Sequence, residues 1–171
     1  MEIEVKLALD AATRARLVAR LGAPDRVAEQ TDVYLATAGV PVALRVRRDG
    51  DAACVTLKAG FEVIDGVKIR EELEPSIRPE ELDTWLAVFA RLGFPRAEVV
   101  AKTRHEYMHG GVHLVLDEVQ GLGAFVEVEV VGDDPTSAKA ALEAALADLG
   151  LAALPRITRS YRDLLIEAGR V

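Results

Sequence analysis

Residues 2 to 7, Glu-Ile-Glu-Val-Lys-Leu, alternate strictly between charged and apolar side chains, which is the period-two pattern of a strand with two unlike faces. Ile3, Val5 and Leu7 share one of them. From Asp10 onward the interval changes. Leu17, Val18 and Leu21 recur at helical spacing, Asp10 stands where an N-cap belongs and Gly22 where the helix ends. Strand patterns follow near 28–36, 42–48, 52–59 and 67–74, punctuated by turn signals at Ala38-Gly39, Asp49-Gly50 and Asp65-Gly66. A second helix is predicted over 79–92, opening on Pro79, with Leu82, Leu86, Val88 and Phe89 on its apolar side. Strands resume near 97–108, 112–119 and 124–131, the first two joined at Gly110-Gly111, and helices follow over 135–149 and 160–168. No repeat, linker or low-complexity stretch interrupts this order, so the pattern predicts one α+β domain over 1–171.

Composition narrows the class. Of the 171 residues, 50% are apolar and 29% charged, a globular balance that excludes disordered, collagen-like and coiled-coil chains. The formal net charge of −7 argues against nucleic acid or an anionic membrane as the main partner. Cys54 is the single cysteine, so no internal disulfide forms, and a cytoplasmic location is expected. No apolar run reaches the roughly 18 residues of a membrane span, and the start MEIEVK lacks the basic region of a signal peptide.

The charges sit in a pattern of their own. Glu2, Glu4 and Lys6 share a strand face, as do Arg45 with Arg47, then Lys68, Arg70, Glu72 and Glu74, then Lys102 with Arg104, and Glu127 with Glu129. Two arrangements satisfy this alternation. One is an antiparallel sheet whose charged face is solvated and whose apolar face lies under helices. The other closes the sheet into a barrel with both signs inside, where carboxylates hold a divalent cation and guanidinium groups grip phosphate. The second accounts better for the scarcity of Ser, Thr, Asn and Gln on the charged faces. A two-residue turn at Asp49-Gly50 would set Arg47 opposite Ala52 and Arg45 opposite Cys54, with Thr56 and Lys58 on the same face. A like turn at Gly110-Gly111 would set Arg104 opposite Asp117.

The ordered series Glu2-x-Glu4-x-Lys6, Gln30-Thr31-Asp32-x-Tyr34, Ala43-Leu44-Arg45-Val46-Arg47, Thr56-Leu57-Lys58, Arg70-Glu71-Glu72-x-Glu74, Lys102-x-Arg104, Leu116-Asp117-Glu118-Val119-x-Gly121-Leu122-Gly123, Glu127-x-Glu129 and Ser160-Tyr161-x-Asp163-Leu164-Leu165 resembles the CYTH family of triphosphate tunnel metalloenzymes. The resemblance covers almost the whole chain. It implies an eight-stranded antiparallel β-barrel forming a tunnel, with helices packed outside, a triphosphate substrate, and Mg²⁺ or Mn²⁺. It further implies that Lys6, Arg45, Arg47, Lys58, Arg70, Lys102, Arg104 and Arg159 bind the triphosphate. Metal-binding carboxylates would be Glu2, Glu4, Glu127 and Glu129, with Glu72, Glu74 and Asp117 binding a second metal or orienting the bases. Glu4, Lys6, Asp117, Glu127 and Glu129 would carry the catalysis.

Within that family the run LDEVQGLGAFVEVEV together with SYRDLL is most like the class IV adenylyl cyclase branch, which converts ATP to cyclic AMP and pyrophosphate. Other branches hydrolyse tripolyphosphate or thiamine triphosphate. A non-catalytic polyphosphate or nucleotide sensor is a further alternative, although it would have little use for so many carboxylates around an anion. A homodimer through an outer face is compatible with all of these. Among the remaining candidates, His105, His109 and His113 recur every four residues, but Gly110-Gly111 interrupts them and they read as surface or turn residues. Cys54 reads as a small strand filler and Trp85 as core packing. Tyr34 reads as either core or a contact at the edge of the lumen.

Overall fold

The structure, a computed structural model, describes residues 2–39, 42–64, 67–131 and 134–170. Strand β1 (Glu2–Leu9) leads into α1 (Ala11–Leu21), then β2 (Arg26–Leu35), β3 (Val42–Asp49), β4 (Ala52–Ile64), β5 (Val67–Leu73) and the short β6 (Ser76–Ile77). After a 3₁₀ turn come α2 (Leu82–Arg91), β7 (Arg96–His109), β8 (Val112–Val119), β9 (Gly123–Val131), α3 (Pro135–Asp148) and α4 (Tyr161–Glu167). The hydrogen-bonded order is β3-β2-β7-β8-β9-β1-β5-β4, β4 pairs again with β3, and β6 is appended to β4. The eight longer strands therefore form an antiparallel barrel. No helix among the described residues is long and apolar enough to cross a membrane.

The alternation read in the sequence decides which side faces where. Ile3, Val5 and Leu7 are buried on the outer face of β1, beside Leu114, Leu116, Val126 and Val128, and beneath Ala138, Leu142, Ala145 and Leu146 of α3. Asp134 caps α3 by accepting from the Thr136 and Ser137 amides. Asp10 likewise caps α1 through the Thr13 amide at 2.7 Å. Leu86 of α2 covers Leu35, Leu44, Val46 and Val55 on another sector of the wall. Trp85, expected in the core, instead leans on Phe89, with ring centroids 5.8 Å apart, and remains 36% exposed. The apolar stripe of α2 is narrower than its composition, and Leu86 alone is buried deeply.

One register and one strand end differ from expectation. Asp49 pairs with Ala52, so the β3–β4 turn is Gly50-Asp51, and Arg47 faces Cys54 while Arg45 faces Thr56. The slip is two residues, which keeps every side chain on its predicted face. β4 also runs to Ile64 because its register shifts between Ala59 and Phe61, at Gly60, instead of ending there. The Gly110-Gly111 turn does set Arg104 opposite Asp117. The Asp65-Gly66 turn lies outside the described residues.

At one end the inward face changes from charged to apolar, and α4 packs there: Tyr161 and Leu165 meet Tyr34, Val100, Val119 and Phe125. Ser160 and Asp163 form the capping box that starts this helix. Gly121, in the β8–β9 turn, has φ of 84°, and a Cβ there would stand 3.3 Å from Leu165 Cδ2. Gly121→Ala should therefore cost about 1–2 kcal/mol from the left-handed backbone alone. Urea unfolding measures it, and an unchanged midpoint would show that α4 does not depend on this turn.

Candidate functional site

Because alternate residues of every strand point inward, the barrel encloses a cavity of about 720 Å³ lined chiefly by charge. On the β2–β3 side, buried Asp32 takes a fork of two hydrogen bonds from Arg47, Nε at 2.6 Å and Nη2 at 2.8 Å. Arg45 lies 3.6 Å from the same carboxylate and bridges to Glu72 at 3.7 Å and Glu74 at 3.6 Å. Lys58 pairs with Glu72 at 2.7 Å, and the Thr56 hydroxyl donates to Glu74 at 2.6 Å. Burial opposes ionisation of Asp32, yet Arg45 and Arg47 outweigh it and hold its carboxyl well below the usual range.

Opposite them Asp117 collects three donors: Arg104 through Nε at 2.8 Å and Nη2 at 2.6 Å, Lys102 at 3.0 Å, and the Tyr161 hydroxyl at 3.0 Å. Arg104 Nη2 also reaches Glu127 at 2.7 Å, which pairs with Lys6 at 3.0 Å. Both lysines lie over the Tyr161 ring, 4.3 and 5.0 Å from its centroid. Lys6 and Lys102 are equally buried but titrate in opposite directions. For Lys6, burial is outweighed by Glu127 and Glu4, and the pKa rises. For Lys102, burial and the neighbouring Arg104 guanidinium prevail over Asp117, and the pKa falls to about 8. Glu127 is pushed upward by burial but held well below the ordinary glutamate value by Lys6 and Arg104.

Glu4, Glu127 and Glu129 each present a carboxylate oxygen within 4.8 Å of the others. Three hard oxygen donors suit Mg²⁺ or Mn²⁺. The surrounding electrostatics point the same way: carboxylates along the lumen match the bases, so a bound polyanion adds negative charge that a divalent cation would offset. His113 Nδ1 lies 3.1 Å from Glu129 Oε2.

The structure thus brings Glu4, Lys6, Arg45, Arg47, Lys58, Glu72, Glu74, Lys102, Arg104, Asp117, Glu127 and Glu129 onto one inward face. Glu72 and Glu74 sit against Arg45, Lys58 and Thr56 and are not among the acidic trio. The side chains of Glu2 and Arg70 lie outside the described residues. Arg159 does not face the cavity: its exposed guanidinium pairs with Glu167, and its carbonyl accepts from Lys6 Nζ at 3.3 Å. Arg162 lines the cavity in its place, 5.7 Å from the Tyr34 ring centroid. Tyr34 serves both its readings, core and lumen edge. His113 corrects the surface reading of the histidines, because it has the inward parity of Glu129, its partner across β8 and β9. Cys54 behaves as a filler, its thiol pushed up by burial and by Glu74.

Comparison with known proteins places this arrangement. The CYTH domain model matches residues 1–161. An adenylate cyclase candidate of Methanocaldococcus jannaschii is 34% identical over 87 residues, which is 51% of this chain and 48% of that protein, about half the length of each. A conserved hypothetical protein of Pyrococcus furiosus superposes with a TM-score of 0.82 at 28% identity, over 96% of this chain and 99% of that one. HpAC1 of Hippeastrum, described as an adenylyl cyclase candidate with a dominant triphosphatase activity, gives 0.76 at 23% identity over 100% and 97%, a likeness of fold. Since the family match runs from β1 through every strand of the barrel to Tyr161 at the start of α4, the chain belongs to the CYTH domain family.

Proposed function

We propose that this chain is a divalent-metal-dependent enzyme that grips the triphosphate of ATP in its tunnel and converts ATP to cyclic AMP and pyrophosphate. The observation that carries the reading is the pairing, within one enclosed lumen, of a basic wall with the Glu4, Glu127 and Glu129 cluster. Arg45, Arg47, Lys58, Lys6, Lys102 and Arg104 offer the planar forks and compact charges that suit phosphate oxygens. Glu72, Glu74 and Asp117 hold those bases in place. Glu4, Glu127 and Glu129 would hold Mg²⁺ or Mn²⁺, which supplies charge neutralisation on phosphate oxygens during in-line transfer.

In this reading the ribose 3′-oxygen bonds to the α-phosphorus, its proton passes to solvent, and the bond to the bridging oxygen breaks as pyrophosphate leaves. No side-chain nucleophile is required. The protein orients the chain of phosphates, and its buried bases stabilise charge where water is scarce.

A product assay with ATP, tripolyphosphate and thiamine triphosphate, each with Mg²⁺ or Mn²⁺, tests the proposal. Cyclic AMP with an equal amount of pyrophosphate from ATP is expected. Orthophosphate from tripolyphosphate or thiamine triphosphate, without cyclic AMP, would replace the cyclase by a triphosphatase. Tight binding without any product would make the tunnel a sensor.

The pKa of Lys102 gives a further expectation. At pH 8.5 this lysine is mostly neutral in the free protein, and a polyanion beside it favours the ammonium form. Tripolyphosphate binding should then take up a proton, up to about one per site, and weaken as pH rises through 8 to 9. Calorimetry in two buffers of different ionisation enthalpy measures the uptake. Lys102→Met should abolish it, and the same uptake in that variant would assign the proton elsewhere.

A further inference from the structure

Gln30 stands apart from the ion pairs of the lumen. It lies on the inward face of β2 between Asp49 of β3 and Lys102 of β7, lines the cavity and is only 3% exposed. Asp49 is the cross-strand neighbour of Gln30; it takes a hydrogen bond from Arg26 Nη2 at 2.7 Å, and the Gln30 side chain favours its ionised form. Arg26 is itself fixed by Nη1 on Glu106 at 2.6 Å. A carboxylate accepts and does not donate, so the nitrogen of Gln30 faces Asp49 and the carbonyl must face the other way. That carbonyl oxygen, Oε1, is buried and has no hydrogen-bond partner among the described residues.

The cations at neighbouring inward positions of β3 and β7 are turned toward carboxylates. Lys102 Nζ reaches Asp117 at 3.0 Å, Arg47 forks onto Asp32 at 2.6 and 2.8 Å, and Arg104 divides itself between Asp117 and Glu127. A buried acceptor oriented in advance and left unpaired is costly in the free protein, and the cost is relieved only by something that brings a donor. Inorganic tripolyphosphate, stripped of its last proton by the cations of the lumen, brings acceptors alone. A triphosphate ester with a hydroxyl or amino group on its organic part brings what Oε1 lacks.

From this geometry we infer that Gln30 is a specificity-determining residue whose Oε1 accepts a hydrogen bond from a hydroxyl or amine of the organic group, so that the tunnel selects organic triphosphates over tripolyphosphate. The inference rests on the reading of the tunnel as a triphosphate site. A site with a buried polar group discriminates strongly against analogues that leave it unpaired, whereas phosphate-binding bases alone would treat both ligands alike.

The test compares ATP and tripolyphosphate by titration calorimetry in buffer without divalent metal, for the wild type and Gln30→Met. The variant should weaken ATP by about 10-fold or more, the loss of one hydrogen bond to a buried partner, and leave tripolyphosphate within about 2-fold. Equal losses for both ligands, or no change for either, would overturn the inference while leaving the triphosphate site intact. Failure of the wild type to bind either ligand would instead sink the reading beneath it. A second measurement does not depend on any variant folding. Of 2′-deoxy-ATP, 3′-deoxy-ATP and purine riboside triphosphate, the one that lacks the contacting donor should bind the wild type as weakly as ATP binds Gln30→Met. If all three bind the wild type as tightly as ATP, the inference falls.

Discussion

Glu127→Gln should lower metal-dependent turnover by at least about 100-fold, while the protein still unfolds in one cooperative transition. Glu127 is where the two halves of the site meet. One carboxylate oxygen pairs with Lys6 at 3.0 Å, the other with Arg104 at 2.7 Å, and the group joins Glu4 and Glu129 in the acidic cluster. Its ionisation persists because Lys6 and Arg104 outweigh the burial that opposes it. Glutamine keeps the shape and one acceptor oxygen, so it removes the charge and retains at most one of the two pairings. Turnover assayed over a range of Mg²⁺ and Mn²⁺ concentrations, beside a thermal melt, decides the matter. Wild-type turnover in a folded variant would reduce Glu127 to a counter-ion of Lys6 and Arg104.

Asp32→Ala should cost about 3–5 kcal/mol, the penalty for leaving a buried charge without its partner. The carboxylate is 1% exposed, and without it Arg47 loses both arms of its fork and Arg45 loses a neighbour 3.6 Å away. The same logic fixes the pH dependence. Burial resists the charge on Asp32, but Arg45 and Arg47 depress its folded pKa. Its stabilisation is therefore complete above about pH 4, where the unfolded carboxyl is also ionised. It declines below that as the unfolded chain takes up the proton, and disappears once the pH passes under the folded value. Denaturant unfolding of both proteins at pH 7 measures the difference. Tripolyphosphate should also raise the melting temperature of Asp32→Ala more than that of the wild type, since the anion takes the place of the missing carboxylate. A destabilisation under about 1 kcal/mol would mean that Arg47 is solvated or paired elsewhere.

Much of this site is legible in the sequence because strand parity is unforgiving. Glu4 and Lys6, Arg45 and Arg47, Lys102 and Arg104, Glu127 and Glu129 each had to share a face, and a two-residue slip at the Gly50-Asp51 turn could not alter that. Parity says nothing about height along the barrel. It could not show that Asp117 serves Lys102, Arg104 and Tyr161 together, or that Glu72 and Glu74 lie with Arg45 and Lys58 while Glu4, Glu127 and Glu129 gather in a cluster of their own. Those groupings arise from strand tilt and from pairs distant in sequence, such as β1 with β9.

The apolar end of the lumen was readable in principle. Val100, Val119 and Phe125 have the parity of Lys102, Asp117 and Glu127, so the inward face had to turn apolar somewhere, but only packing shows that α4 fills that end. Arg159 and Arg162 show the limit of residue type as a guide. Both are cations beside the Ser160 cap, and the helical turn between them sends Arg159 to Glu167 and Arg162 to the cavity. Gln30 carried no charge to mark it, and its interest lies in an unpaired atom that no sequence pattern reveals.

On this reading the charged inward face is a binding site for a triphosphate and not a solvated surface rolled into a tube. Titration calorimetry of tripolyphosphate into the purified protein tests it most directly. One site per chain, affinity that falls with added salt, and loss of binding in Arg47→Ala despite a folded barrel are expected. Absence of saturable binding to the folded wild-type protein would contradict it.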